Sequence, residues 1–238
     1  MEPVIIFENE DFLIIDKPSG LVIHPFDHST ERTLVDFLME HSPSLFLIQN
    51  TKTLQDGRMV NLGGIVHKLD RETSGVMVIA KTASSYVSIK EQFLAHAVKK
   101  TYRALVERVL QNENGRIDAP LGRNKKEYKQ SANPQNPRGE LRSAITDYRV
   151  LTRNKTTTYV ELSPQTGRTH QLRAHMAYLG HPIVGDVIYG STQESPRIML
   201  HAQTLSFKLS DIDYSFEAQT PSCFIEKVSI DNTTQKDA

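Results

Sequence analysis

Three short stretches break apolar surroundings with polar, charged and glycine residues, and each holds side chains able to do chemistry. The first is His67-Lys68-Leu69-Asp70-Arg71-Glu72-Thr73-Ser74-Gly75. A carboxylate set among Lys68, Arg71 and hydroxyls is favoured in its ionised form, which suits a nucleophile or base. The same residues also read as a strand-entry loop in which Asp70 caps a turn. The second is Lys99-Lys100-Thr101-Tyr102-Arg103. Tyr102 offers a flat stacking surface with a polar tip beside bases for phosphate, or else half-buried packing flanked by solvated lysines. The third is Thr166-Gly167-Arg168-Thr169-His170-Gln171-Leu172-Arg173-Ala174-His175. Arginines at a helix N-terminus can hold an anion, and a structural ion-pair network competes with that reading.

Other devices are missing from the 238 residues. There is no G-x-G-x-x-G, no phosphate loop ending in Gly-Lys-Ser/Thr, no G-x-S-x-G and no H-E-x-x-H. His24 and His28 have Pro25 between them, which argues against a helical metal pair, and no metal or cofactor is expected. Cys223 is the single cysteine, so neither a disulfide framework nor a cysteine zinc cluster is available. No apolar run approaches the roughly 18 residues of a membrane span, and the start lacks a signal-peptide layout. A soluble cytoplasmic protein is expected.

The elements that must position these stretches follow from pattern. Val4–Phe7 and Phe12–Ile15 read as two strands around a tight turn. Leu34, Phe37, Leu38 and His41 have helical spacing behind Thr33 or Thr30 as a cap. Residues 42–62 carry no period and read as loop. Gly75–Ala80 suits a buried strand, followed by a helix capped by Thr82 or Ser84. Thr101–Val109 is strand-like, 121–141 reads as an exposed loop or hairpin, and Ile145–Leu151 with Thr156–Leu162 make a strand pair. Leu172, Met176 and Leu179 mark a short helix with Gly180 at C′, and Ile198–Leu209 a late strand. Strands outnumber helices and often follow one another, which predicts an α+β fold with antiparallel neighbours. One domain over 1–228 and a disordered tail at 229–238 are expected.

Twenty-eight bases balance twenty-eight acids, but unevenly. Residues 1–40 carry a net −7 and residues 97–155 a net +8. A basic middle can attract a polyanion locally; the plainer reading is a solvated face neutralised by the acidic N-terminal segment.

Taken together and in this order, the segments resemble the RluA family of pseudouridine synthases, from about Val4 to Phe207. Glu10–Pro25 is similar to the family's first motif, and His67–Gly75 matches H-R-L-D-x-x-T-S-G except at Lys68. Lys100-Thr101-Tyr102 fits K-x-Y, and Ala144–Tyr148 is similar to another short element. Thr166–His175 with Gly180–Asp186 fits the third motif, and Leu200-His201-Ala202 a late strand. The resemblance implies a mixed, largely antiparallel sheet flanked by helices with a central active-site cleft. It implies three catalytic residues: Asp70 as the carboxylate acting on a uridine in RNA, Tyr102 stacking on the uracil and taking part in proton transfer, and Arg173 pairing with Asp70. His67, Lys68, Leu69, Arg71, Thr73, Lys100, Arg168, His170, Gln171 and Leu200 are expected at the substrate. The partner is a ribosomal or transfer RNA stem-loop, with no obligate protein partner and a monomeric state expected. Lys68 keeps the charge of the family's arginine but loses its planar stacking group. The chain is expected to be a short form without the N-terminal RNA-binding domain. A non-catalytic RNA-binding protein retaining the fold is the alternative; retention of Asp70, Tyr102 and Arg173 argues against it.

Overall fold

The computed structural model describes residues 2–25, 30–54, 56–124, 129–132 and 137–224. The tail expected at 229–238 and the cations Lys125 and Lys126 lie outside the described residues. The chain gathers into two compact units. One runs from the N-terminus to Lys99 and adds Thr204–Gln219; the other runs from Lys100 to Gln203 and adds the chain from Thr220.

In the first unit, β1 (Val4–Glu8) and β2 (Phe12–Lys17) form the expected antiparallel hairpin. Asn9 closes it, its Oδ1 accepting from the amides of Asp11 and Phe12 as Asx turns do. Helix α1 (Leu34–His41) begins at Thr33, whose hydroxyl accepts from the Asp36 amide while the Asp36 carboxylate accepts from the Thr33 amide, a reciprocal capping box. The stretch expected as loop holds a 3₁₀ turn at Pro43–Leu47 and a small hairpin of β3 (Thr51–Thr53) and β4 (Met59–Asn61). Strands of three residues are too short to show a period. They are placed by side-chain amides: Asn50 donates to the carbonyls of Gly63 and Ile65, and Asn61 to that of Phe46.

Strand β5 (Ser74–Ala80) pairs antiparallel with β2, and all seven of its residues are buried. Burial on both faces is why the sequence there runs apolar without alternation. Helix α2 (Ala83–Leu94) follows, capped by Thr82 with Ser85 as its partner. Gly64 lies so close to the end of β5 that a Cβ there would sit 1.7 Å from the Ala80 carbonyl oxygen, whose own amide donates to the Gly64 carbonyl at 2.8 Å.

The second unit contains β6 (Lys99–Glu107), β7 (Asn114–Asp118), β8 (Leu121–Asn124), β9 (Gln130–Ala132), β10 (Pro137–Arg142), β11 (Ile145–Arg153), β12 (Thr157–Pro164) and helix α3 (Gln171–Tyr178). The order β6-β12-β11-β7 is antiparallel throughout. One face carries Ala104, Val106, Val160, Leu162, Tyr148 and Val150 into a core shared with Leu172 and Met176 of α3. The polar 121–141 stretch forms a separate small sheet, β10-β8-β9. No strand is expected at Asn114-Gly-Arg-Ile-Asp118; glycine serves there because a Cβ at 115 would lie 2.6 Å from the Tyr148 ring. Strand β13 (Leu200–Leu209) carries the chain back into the first unit at Gln203–Thr204. There β14 (Ile212–Glu217) folds against it, and Phe12 meets the rings of Phe207, Tyr214 and Phe216 edge-on. The α+β class and the antiparallel pairing are as expected.

Several charges settle within their own unit. Glu161 is bonded to both Arg103 and Arg149, Arg116 to Asp147 and Arg153 to Glu113. The N-terminal acids find partners in their own unit: Glu2 and Glu40 hold Arg32, Glu8 holds Lys81 and His41, and Glu31 holds Arg71. Burial pulls the Glu161 carboxyl upward, but the hydrogen bond from Arg149 and the charge of Arg103 outweigh it and hold it below the ordinary value.

Gly64→Ala is expected to lower stability by at least about 1–3 kcal/mol, the range for forced overpacking. A urea titration with an unchanged midpoint would contradict the close approach.

Candidate active site

The Asp70 turn is fastened from below by a stretch far away in sequence. Lys17 ends β2 with no solvent exposure, and its ammonium donates to the carbonyls of Pro18 (2.9 Å), Leu21 (2.9 Å) and Arg71 (3.1 Å). A buried charge requires such partners. The Gly20 amide also donates to the Arg71 carbonyl at 2.8 Å, and the Ser19 hydroxyl donates to the Glu72 carbonyl at 2.6 Å. Gly20 has φ +92°, which a side chain would strain. The Thr73 amide closes the turn onto the Asp70 carbonyl. Leu69 and Thr73 are buried on either side of a half-buried Asp70. The backbone around Asp70 is therefore fixed before β5 begins.

Its neighbours divide their work. A substrate contact is expected of His67; the structure stacks its ring on Phe93 at 4.4 Å and has its Nε2 accept from the Val78 amide. Those contacts pin the loop to β5 and α2. Arg71, expected to help ionise Asp70, directs its guanidinium to Glu31 at 3.0 Å. Lys68 is exposed.

In the second unit, Lys100 and Tyr102 share a face of β6, since residues two apart on a strand do. Tyr102 packs at the margin of the core that holds Leu200, which is 3% exposed. Burial pushes the Lys100 ammonium below its ordinary pKa.

The first turn of α3 is core, while the polar segment ahead of it, Thr166–His170, alternates between half-buried and exposed residues. Gln171 is buried; its amide donates to the Ile145 carbonyl and the Thr146 hydroxyl, and its Oε1 accepts from the Thr166 hydroxyl and the Arg168 amide. The Thr146 hydroxyl in turn donates to Nδ1 of His175, whose Nε2 donates to the Ala119 carbonyl. Every group in this chain is satisfied, as buried polar groups must be. His170 starts the helix in the left-handed region (φ 54°, ψ 21°) with its Nδ1 3.1 Å from the Tyr189 hydroxyl. Arg168 reaches the Ser143 carbonyl.

Arg173 is 1% exposed, and Asp186 takes it in a two-pronged grip: Nε to Oδ2 at 2.6 Å and Nη2 to Oδ1 at 2.9 Å. The Tyr189 ring lies 5.1 Å from its Cζ. Asp186 also caps the 3₁₀ turn Val187–Tyr189 through the Tyr189 amide. Sequence reasoning assigned no role to Lys17 or Asp186. A usable signal existed for Asp186, because an arginine on a helix packing into a core demands a carboxylate nearby.

This geometry meets the comparisons with known proteins. Residues 11–178 match the family described as RNA pseudouridylate synthase. The chain belongs to the RluA family of RNA pseudouridine synthases. Among the family, the ribosomal large subunit pseudouridine synthase D of Zymomonas mobilis is 33% identical over 234 residues, covering 91% of this chain and 69% of that protein. Its counterpart in Pseudomonas aeruginosa is also 33% identical, covering 97% and 72%. For the enzyme of Nitrosomonas europaea the match, at 38% identity and 81% of this chain, spans 51% of that protein's length. Among solved structures, human RNA pseudouridylate synthase domain containing 1 superposes with a TM-score of 0.75 at 26% identity, covering 95% of this chain and 86% of that one. No helix among the described residues is long and apolar enough to cross a membrane. No group of three or more metal-ligating side chains was found among them.

Asp186→Ala leaves the buried Arg173 charge without that partner and is expected to cost roughly 3–5 kcal/mol of stability, read by urea unfolding. His175 supplies a pH test. Burial pushes its pKa below the ordinary 6.5, so the folded state binds its proton less readily than the unfolded chain does. Its contribution is full above pH 6.5 and is lost as pH falls from there through the folded value. His175→Gln should flatten the stability profile between pH 7 and pH 5; an unaltered slope would remove His175 as its source.

Proposed function

We propose that the chain isomerises a uridine of RNA to pseudouridine, with Asp70 as the catalytic carboxylate. The observation that carries this is the clamped turn. Lys17, Ser19 and Gly20 of the first motif hold the Asp70 loop by hydrogen bonds to the carbonyls of Arg71 and Glu72, in a chain whose family match covers both segments.

The net reaction breaks N1–C1′, turns the uracil and joins C5 to C1′; a proton leaves C5 and one is gained at N1. Atoms and oxidation level balance, so the change calls for no redox partner. A carboxylate can act at the sugar as nucleophile or base. A preset backbone matters because an acid that wanders by an ångström loses the benefit of orientation. A stacked uridine cannot reach it, so the nucleotide flips out at a cost of a few kcal/mol. In this reading Tyr102 offers the uracil an aromatic face, Leu200 an apolar wall, and Arg173 a guanidinium for the carboxylate's charge. Held by Asp186, that guanidinium is charged and fixed in orientation.

The curated relatives named above are ribosomal large-subunit enzymes. Large-subunit ribosomal RNA is accordingly the substrate proposed, ahead of transfer RNA. The chain is proposed to act in the cytoplasm, as one catalytic domain and as a monomer.

Asp70→Asn should abolish pseudouridine formation in ribosomal RNA while RNA affinity stays within several-fold. Chemical mapping of RNA treated with the variant is the measurement. Turnover surviving in Asp70→Asn would remove that residue from the chemistry.

A further inference from the structure

A knot of cations in the first unit joins Lys52 and His24, neither assigned so far, to Lys68 of the Asp70 loop. Lys52, the middle residue of β3, places its ammonium 2.7 Å from Nε2 of His24. The Nδ1 of His24 lies 2.8 Å from the Pro25 carbonyl oxygen, which can only accept. Nδ1 therefore carries the proton, and Nε2 is the lone pair that receives the lysine. Lys68 completes the group. Asn50, two residues before Lys52, donates to the carbonyl of Ile65, three residues before Lys68, at 2.9 Å, and burial first, then the charge of Lys68, push the Lys52 pKa down.

Among the described residues neither Lys52 nor Lys68 has a carboxylate within ion-pair reach, and the hairpin's own acid, Asp56, is bonded to Arg58 at 2.6 Å. That contrasts with Arg103, Arg116, Arg149 and Arg153 of β6, β7 and β11, each of which meets a carboxylate, Arg103 and Arg149 sharing Glu161. Like charges crowded without a counter-ion are unfavourable, and the arrangement is relieved by a ligand bearing several anionic oxygens. Two lysines suit a phosphodiester, since each is a compact point charge able to meet one non-bridging oxygen. His24 adds orientation: by accepting from Lys52 it reduces the freedom a long side chain would otherwise lose on binding.

We propose that Lys52 and Lys68, with His24 steering Lys52, form a phosphate-binding subsite that seats the RNA backbone beside the nucleotide on which Asp70 acts. The position follows from the chain. Lys68 precedes Asp70 by two residues, a span of at most about 7 Å, so an anchored phosphate lies within a nucleotide's reach of the carboxylate. The subsite rests on the RNA reading above. It gives the β3–β4 hairpin a purpose, and it gives Lys68 one that a lysine fulfils without a stacking plane.

The test uses the full chain and a fluorescein-labelled oligouridylate, with anisotropy titrations across a series of KCl concentrations. Lys52→Met should bind about threefold to tenfold more weakly at low salt. The slope of log affinity against log salt should shrink by about 0.7, the value for one single-strand phosphate contact. Lys52→Arg should keep the wild-type slope, and Lys68→Met, on a separate element, should lose a similar amount. Lys208→Met, whose ammonium faces Asp211, should match the wild type. Wild-type slopes in both methionine variants overturn the subsite even if the wild-type protein forms pseudouridine. A wild-type chain that neither binds nor modifies RNA overturns the RNA reading and the subsite with it.

Discussion

A fully buried ammonium is the constraint from which the Asp70 loop takes its shape. Lys17 has no water to solvate it, so main-chain carbonyls must surround it. One belongs to Arg71, fifty-four residues on. Moving the loop away would leave a charge stranded in the protein interior. The lysine therefore fixes the Asp70 loop through the main chain that it binds. Rigidity of this kind fits a residue whose task depends on orientation.

A second buried charge organises the other unit. Arg173 and Asp186 neutralise each other, and Asp186 simultaneously ends the chain's approach to a 3₁₀ turn. Gln171, Thr146 and His175 extend the same logic in uncharged form, passing hydrogen bonds from α3 to β11 and to the Ala119 carbonyl. Between the two sequence readings of this segment, anion holder or internal network, the described contacts of Gln171 and His175 belong to the network. Such networks favour a single arrangement because a half-broken one is costly.

Much of the scaffold was legible because its causes are local. Thr33 and Thr82 announce their helices through short-range capping, and β5 announces its burial through an uninterrupted apolar run. The family motifs were legible too, and they marked the segments where polar residues hold the Asp70 turn and the first turn of α3. What escaped had non-local causes. Strand β7 depends on Tyr148 lying over Gly115. The β3–β4 hairpin depends on amides at Asn50 and Asn61 reaching carbonyls elsewhere. Lys17 recognises carbonyl oxygens, which every residue possesses, so its partners leave no mark in the sequence. The structural contacts of His67 and Arg71 were hidden for a related reason: their partners Phe93, Val78 and Glu31 lie far along the chain.

The sharing of Glu161 between Arg103 and Arg149 has a kinetic consequence. Residues 97–155 hold fourteen bases against six acids, so pairing within this stretch leaves most of its positive charge uncancelled. A polyanion is then drawn towards it from a distance, and capture weakens as salt rises. The acidic first forty residues repel the same polyanion, so productive encounters are sorted by orientation before any contact is made.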